Sequence, residues 1–251
     1  MTSTAAQPEK ASSASSSTYG PIDLLHSEAA RVFTHVHSVL ILSLCYLRFD
    51  SLVEDPVSSL VASLLPLVVI QLSYVITCLP ATSSSNVGGA GNAASSNKSS
   101  KAGAQRKKQG QATGGISSAI ISTVLSTLLG TTVLSSLMVM FGAPVTTHLA
   151  HTAAAAAHLS LLAIMPLVYV HGVDVERWKS VISAMSPLDE VFGALVGTLV
   201  GAWLGAVPIP LDWDREWQKW PVTIVIGAYL GCVLGKILGG TILRGKSIKF
   251  D

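Results

Sequence analysis

The sequence predicts an all-α membrane protein, a polytopic bundle of about six transmembrane helices with both termini cytosolic. Three observations carry that reading. Charged residues make up only 12% of the 251-residue chain and apolar residues 49%, whereas a soluble domain carries about 25% charge. Apolar runs long enough to cross a hydrocarbon core of roughly 30 Å recur along the chain. The last two of those runs carry glycine at every fourth position: Gly193, Gly197, Gly201 and Gly205 in one, Gly227, Gly231, Gly235 and Gly239 in the other. Glycine at i, i+4 bares one side of a helix and lets another backbone approach closely. The stripes are therefore helix-packing surfaces, directed at each other or at a partner protein. Leucine at Ala228, off the stripe, is expected to be milder than leucine at Gly201 or Gly231.

In chain order, residues 1–28 form a Ser-, Thr- and Ala-rich tail with little apolar surface to bury, expected to be disordered. The tail lacks a basic segment followed by an apolar one, so no cleavable signal peptide is expected and insertion begins with the first span. Residues 29–79 hold the first two spans. The first, roughly Ala30 to Leu47, carries Arg31, His35 and His37 in its first half; Arg31 is expected to reach the interface by snorkelling. His35 and His37 point to opposite sides of a helix, which suits polar contacts within the bundle rather than a shared metal. The second span, Val57 to Leu79, follows an acidic turn. It contains Pro66, a candidate kink, and Gln71, expected to hydrogen-bond a neighbouring helix.

Residues 80–115 change to Ser, Gly, Ala and Asn with Lys98, Lys101, Arg106, Lys107 and Lys108, a flexible basic linker that divides the chain. Residues 116–240 hold four more spans. The third, about Ile116 to Phe141, turns through Gly142, Ala143 and Pro144 into the fourth, about His148 to Val170, as an antiparallel hairpin. Ala153 to Ala157 give the fourth span a slim face. His148, His151 and His158 lie along it without acidic or cysteine companions, a weak metal or proton-relay pattern. The stretch from His171 to Pro187 mixes charges around Trp178 and suits an interfacial turn or short helix. Asp189 and Glu190 stand where a helix N-terminus favours negative charge. The two striped spans follow, and Lys236 lies within the last; its charge is expected to snorkel or to pair with Asp189 or Glu190. Residues 241–251 are a basic tail.

The formal net charge of +2 gives no reason to invoke nucleic acid; the positive charge is concentrated in the linker and the C-terminal tail, which six spans place on one side, and the positive-inside rule makes that side cytosolic. Cys45, Cys78 and Cys232 all fall inside spans, so no structural disulfide is expected. The segment between the striped spans would then be lumenal or extracellular.

That segment is distinctive. Gly201-Ala-Trp-Leu-Gly-Ala-Val-Pro-Ile-Pro-Leu-Asp-Trp-Asp-Arg215, followed by Trp217, Trp220 and Pro221, resembles the C-terminal signature of the PIG-F family of GPI-anchor biosynthesis proteins. The resemblance continues through Gly227 to Lys236, is weaker at Leu25-His-Ser-Glu-Ala-Ala-Arg31, and covers roughly two thirds of the chain; the basic linker looks like a fungal-type insertion. The resemblance implies a multi-pass endoplasmic reticulum protein. Its implied partners are the PIG-O-type and PIG-G-type ethanolamine-phosphate transferases, which carry the catalytic lumenal domain and need the PIG-F member for stability and activity. Membrane lipids, including the GPI precursor, are further candidate partners.

The residues themselves are compatible with an accessory role, because no extramembrane stretch reaches the roughly 100 residues a phosphotransferase core would need. The most enzyme-like feature is Asp212 and Asp214, since paired carboxylates can hold a divalent ion for phosphoryl transfer. They lack a nucleophile with a partnered base, a His/Asp cluster and a phosphate-cradling loop. A partner-facing or capping role suits them better, with Pro208, Pro210, Trp213, Arg215, Trp217, Trp220 and Pro221 around them; the tryptophans are spaced like interfacial anchors. No catalytic residue, metal ligand or cofactor is assigned. The rival reading is a small transporter or lipid-handling protein, suggested by Lys236, the histidines and the proline-broken spans.

Overall fold

The structure, a computed structural model, describes residues 20–82, 114–211 and 213–247. The expected disorder of the N-terminal tail and flexibility of the basic linker, like Asp212 and the last four residues, lie outside the described residues. Among the described residues all regular secondary structure is helical, and six helices are long and apolar enough to cross a membrane.

The first span, α1 (Glu28–Leu47), starts where the Ser27 side chain accepts a hydrogen bond from the Ala30 amide at 3.1 Å. A short helix α2 (Phe49–Glu54) turns the chain into α3 (Pro56–Cys78). Asp55 caps α3 by accepting from the Ser58 amide and hydroxyl, and Pro56, with no amide hydrogen to lose, occupies the first turn. The third span is α4 (Gly114–Met140) and the fourth α5 (Leu149–His171). The mixed-charge stretch forms the short helix α6 (Val175–Ile182), capped by Asp174. The striped spans are α7 (Glu190–Ala206) and α8 (Val222–Gly240).

The axis of the bundle is α5: 89% of its most apolar stretch is buried, against 22% for α4 and 33% for α3. Its small residues explain this position. Ala154 to Ala157, Ser160 and Ala163 are all buried, and without bulk they let neighbouring helices come close on every side. Both α4 and α5 contain a π-helical turn, Ser126–Gly130 and Ser160–Ile164, and the two turns meet: Ser160 Oγ donates to the Ser126 carbonyl at 2.6 Å. The wide turn in α5 precedes Pro166, whose ring would clash with a regular preceding turn. Proline cannot donate to the Leu162 carbonyl, and the Cys232 thiol of α8 does so instead, at 3.9 Å.

One end of the bundle gathers the chain's crossings. The Ile22 amide donates to Asp189 Oδ2 and the Leu25 amide to the Cys78 carbonyl, both at 2.9 Å. Arg244 pairs with Asp23, and Leu188 exchanges backbone hydrogen bonds with Gly245 and Lys246. The N-terminal approach, the end of α3, the start of α7 and the exit from α8 thus share one side, as six spans require.

Two expectations need correction. Gln71 is buried at 1% exposure rather than facing lipid, but its amide faces His37 without making a hydrogen bond of ordinary geometry among the described residues. Ala228 is fully buried against α5, because the stripe is so narrow that its flanks also pack. Leucine there would overpack the core, so it is no mild control.

Candidate functional site

Three features stand out: the glycine zipper, the segment joining its two helices, and a polar cluster beside it. The structure settles what the stripes face. They pack against each other in antiparallel register, with Gly193 beside Gly235 and Gly239, Gly197 beside Gly231 and Gly235, Gly201 beside Gly227 and Gly231, and Gly205 beside Thr223. Backbone meets backbone along the whole pair. A Cβ added at Gly201 would lie 2.9 Å from Gly231 Cα, and one at Gly197 2.7 Å from Gly235 Cα, besides colliding with a facing carbonyl oxygen. Next to the zipper an apolar groove of about 610 Å³ runs from Leu188 and Leu243 at one end to Pro208 and Trp217 at the other.

The joining segment is braced rather than loose. Short 3-10 turns form at Ile209–Leu211 and Glu216–Gln218. Gln218 ties them together, donating from Nε2 to the Pro208 carbonyl at 2.7 Å while its Oε1 accepts from the Arg215 amide at 3.1 Å. Trp213 and Trp217 pack edge to face at 5.9 Å, and Trp220 Nε1 donates to Thr152 Oγ1 of α5 at 3.2 Å. Trp220 is thus a bundle contact. Asp214 adopts a left-handed backbone with φ 51°, which Asp tolerates better than most residues. Pro210, Asp214 and Arg215 are exposed, while Pro221 is buried at the start of α8. Asp212 lies outside the described residues.

Lys236 neither snorkels nor forms a direct ion pair with Asp189 or Glu190, contrary to expectation. It is 4% exposed, and its ammonium donates to the Thr34 carbonyl and to His37 Nδ1, each at 3.0 Å, while lying 3.9 Å from the centroid of the Tyr74 ring. Three acceptors surround it inside the bundle, which removes the drive to reach water. His37 stacks on Tyr74 at 4.1 Å. Glu190 joins from α7, its Oε2 accepting from Thr34 Oγ1 at 2.8 Å and Tyr74 Oη at 3.3 Å. The carboxylate thus supports the cage through two of its walls.

Asp189 does something different: it caps α7, its Oδ1 accepting from the Val191 and Phe192 amides at 2.9 and 2.8 Å while Oδ2 takes the Ile22 amide. Burial pushes its carboxyl up from the ordinary value, and the Ile22, Phe192 and Val191 amides pull against that rise. With the folded value above the unfolded one, the carboxyl's contribution to stability is fully present below the unfolded value and is lost as pH rises through the folded value. Asp189→Asn keeps an oxygen acceptor for the Val191 and Phe192 amides, gives up the one for Ile22 and removes the buried charge. In detergent its thermal stability relative to the parent's should rise with pH through the folded value of the parent carboxyl and fall back on acidification. Asp189→Ala should cost about 1–2 kcal/mol at low pH and less as pH rises through the folded value; an Asn variant as weak as Ala at every pH would contradict this.

The histidines of α5 separate. His158 is buried, its Nε2–H donating to the Leu60 carbonyl at 2.9 Å and its Nδ1 accepting from Tyr229 Oη at 2.8 Å. His148 and His151 contact each other edge to face at 4.8 Å. No group of three or more His, Cys, Asp or Glu side chains fit to hold a metal occurs among the described residues. His35 is exposed and His37 buried, as opposite faces of α1 require.

The model of the GPI biosynthesis protein family Pig-F matches residues 36–240. The glycosylphosphatidylinositol anchor biosynthesis protein 11 of Neurospora crassa is 46% identical over 235 residues, spanning 94% of this chain and 84% of that protein. Its counterpart in Aspergillus fumigatus is 38% identical over 285 aligned positions, spanning 100% of this chain and 96% of the other. The Homo sapiens GPI ethanolamine phosphate transferase, stabilizing subunit, is 35% identical over 106 residues, 41% of this chain and 48% of its own. No solved structure matches.

Proposed function

This chain belongs to the GPI biosynthesis protein family Pig-F, and from that membership we propose that it is a noncatalytic membrane subunit of an ethanolamine-phosphate transferase in GPI-anchor assembly. In this reading it stabilises and activates the transferase, of the PIG-O or PIG-G type, that modifies a mannose of the GPI precursor in the endoplasmic reticulum. The observation that carries the reading is the similarity to the human protein named as the stabilizing subunit of such a transferase. The build of the molecule supports it: the described residues are spent on helices packed by backbone contact and on short braced turns, an architecture suited to presenting a fixed membrane surface. Both termini are cytosolic in this proposal, which places the Trp-rich segment on the lumenal side. The rival transporter reading drew on Lys236, whose ammonium is already held by three partners.

Replacing Asp212 and Asp214 together by Asn tests the noncatalytic assignment, because it keeps size and most hydrogen bonding while removing charge. The assembled complex should retain substantial transferase activity per mole. Loss of turnover by several orders of magnitude with normal assembly would place these carboxylates in the chemistry.

A further inference from the structure

The geometry points to α1 as a conditional transmembrane span, held across the bilayer by the cage that the far end of the chain builds around Lys236. Three observations converge. Of the six candidate spans, α1 is the least apolar, and Glu28, Arg31, His35 and His37 explain why. Polar residues within a span raise the cost of inserting it and are tolerated where protein groups receive them.

The second observation is where that polarity goes. Thr34, His37 and Ser38, at i, i+3 and i+4, are all buried at 8% exposure or less, so α1 turns one polar stripe inward, while Glu28, Arg31 and His35 stay exposed. Two of the three are engaged by helices of the opposite end of the sequence. Lys236 of α8 takes the Thr34 carbonyl and His37 Nδ1, and Glu190 of α7 takes the Thr34 hydroxyl. Ser38 is satisfied within α1, donating to the Thr34 carbonyl at 3.2 Å. The third is that α3, the next span of the chain, gives His37 a stacked Tyr74 ring and a facing Gln71 amide, whereas the group within 3.0 Å of its Nδ1 is the Lys236 ammonium of the last span. The polar face of the first span is completed by residues some 150 to 200 positions later, at separations of 156, 199 and 202.

The consequence is topological. When α1 does not span, α3 keeps its direction, and the N-terminal tail moves to the side of the short α2 connection, opposite the basic linker. In the parent the described end of the tail and the described start of the linker lie on the same side, with Leu25 bonded to Cys78. Lys236→Leu removes the donor, leaving the Thr34 carbonyl and the buried His37 Nδ1 without it. The double variant His37→Leu/Lys236→Leu removes donor and acceptor together and makes α1 more apolar, so it should restore the span.

The test uses glycosylation of the full-length chain translated with endoplasmic reticulum membranes, where modification is read whether or not the product later accumulates. Ala11→Asn creates the sequon Asn-Ser-Ser in the tail, and the native Asn97-Lys98-Ser99 reports on the linker; each is read in a chain lacking the other. In the parent both should report the same side. In Lys236→Leu the difference between the modified fractions at the two reporters should rise about tenfold over the parent background, and in the double variant it should fall back. Overturning results are reporters that agree equally well in the parent and in Lys236→Leu, or a double variant as mixed as the single one. The first would show that α1 spans unaided, the second that the change acts otherwise than through this contact.

Discussion

Leucine at Gly201 or at Gly231 is expected to abolish accumulation of the folded protein, each variant alone. A small-to-large change in a packed core costs about 1–3 kcal/mol when side chains can yield. Here the atoms in the way are the Gly227 and Gly197 carbonyls and the facing Cα atoms, and backbone cannot change rotamer. The helices must part, and a membrane interface held by close packing loses its attraction steeply with separation. Alanine at either site should therefore also be harmful, which distinguishes backbone contact from ordinary overpacking. Val200→Ala and Leu234→Ala, at 48% and 59% exposure on the rims of the zipper, are the appropriate controls and should change little. The measurement is the yield of monodisperse protein in detergent. Parent-like yield for both leucine variants would mean that the zipper does not organise the bundle.

His158→Ala is expected to be the next most damaging change, costing about 2–4 kcal/mol through a cavity and two lost hydrogen bonds. The ring is 1% exposed and bridges α5 to α3 and α8 through the Leu60 carbonyl and the Tyr229 hydroxyl. Tyr229→Phe keeps the packing and the Leu60 contact, so it should lose only about 0.6 kcal/mol, the average of a hydrogen bond between membrane helices. Unfolding in mixed micelles checks the order. A Tyr229→Phe variant as weak as His158→Ala would show that the hydrogen bond, not the filled volume, dominates.

Much of the architecture was legible because its signals are local. Six apolar runs mark six spans, and glycine at every fourth residue marks the two helices with bared faces, although not whether those faces meet each other or a partner. The central place of α5 was harder to read, since Ala153 to Ala157 advertise a slim face without saying how many neighbours use it. The Lys236 cage was half visible: an intramembrane lysine demands partners, but a carboxylate is the obvious guess and the actual acceptors are a backbone carbonyl, an imidazole and an aromatic ring. A signal did exist in the polar periodicities, Thr34, His37 and Ser38 on α1 and Gln71, Tyr74 and Cys78 on α3, each set marking one helical face. Pairing those faces with Lys236 required the three-dimensional arrangement, because nothing in the spacing says which helices meet.

The subunit reading is tested most directly by purifying the full-length chain from its native membranes in mild detergent and identifying what accompanies it at stoichiometric amounts. The expected result is a complex with a much larger membrane protein bearing ethanolamine-phosphate transferase activity, and reduced abundance of that protein in cells lacking this chain. Recovery of this chain alone, with the transferase at normal abundance in its absence, would contradict it.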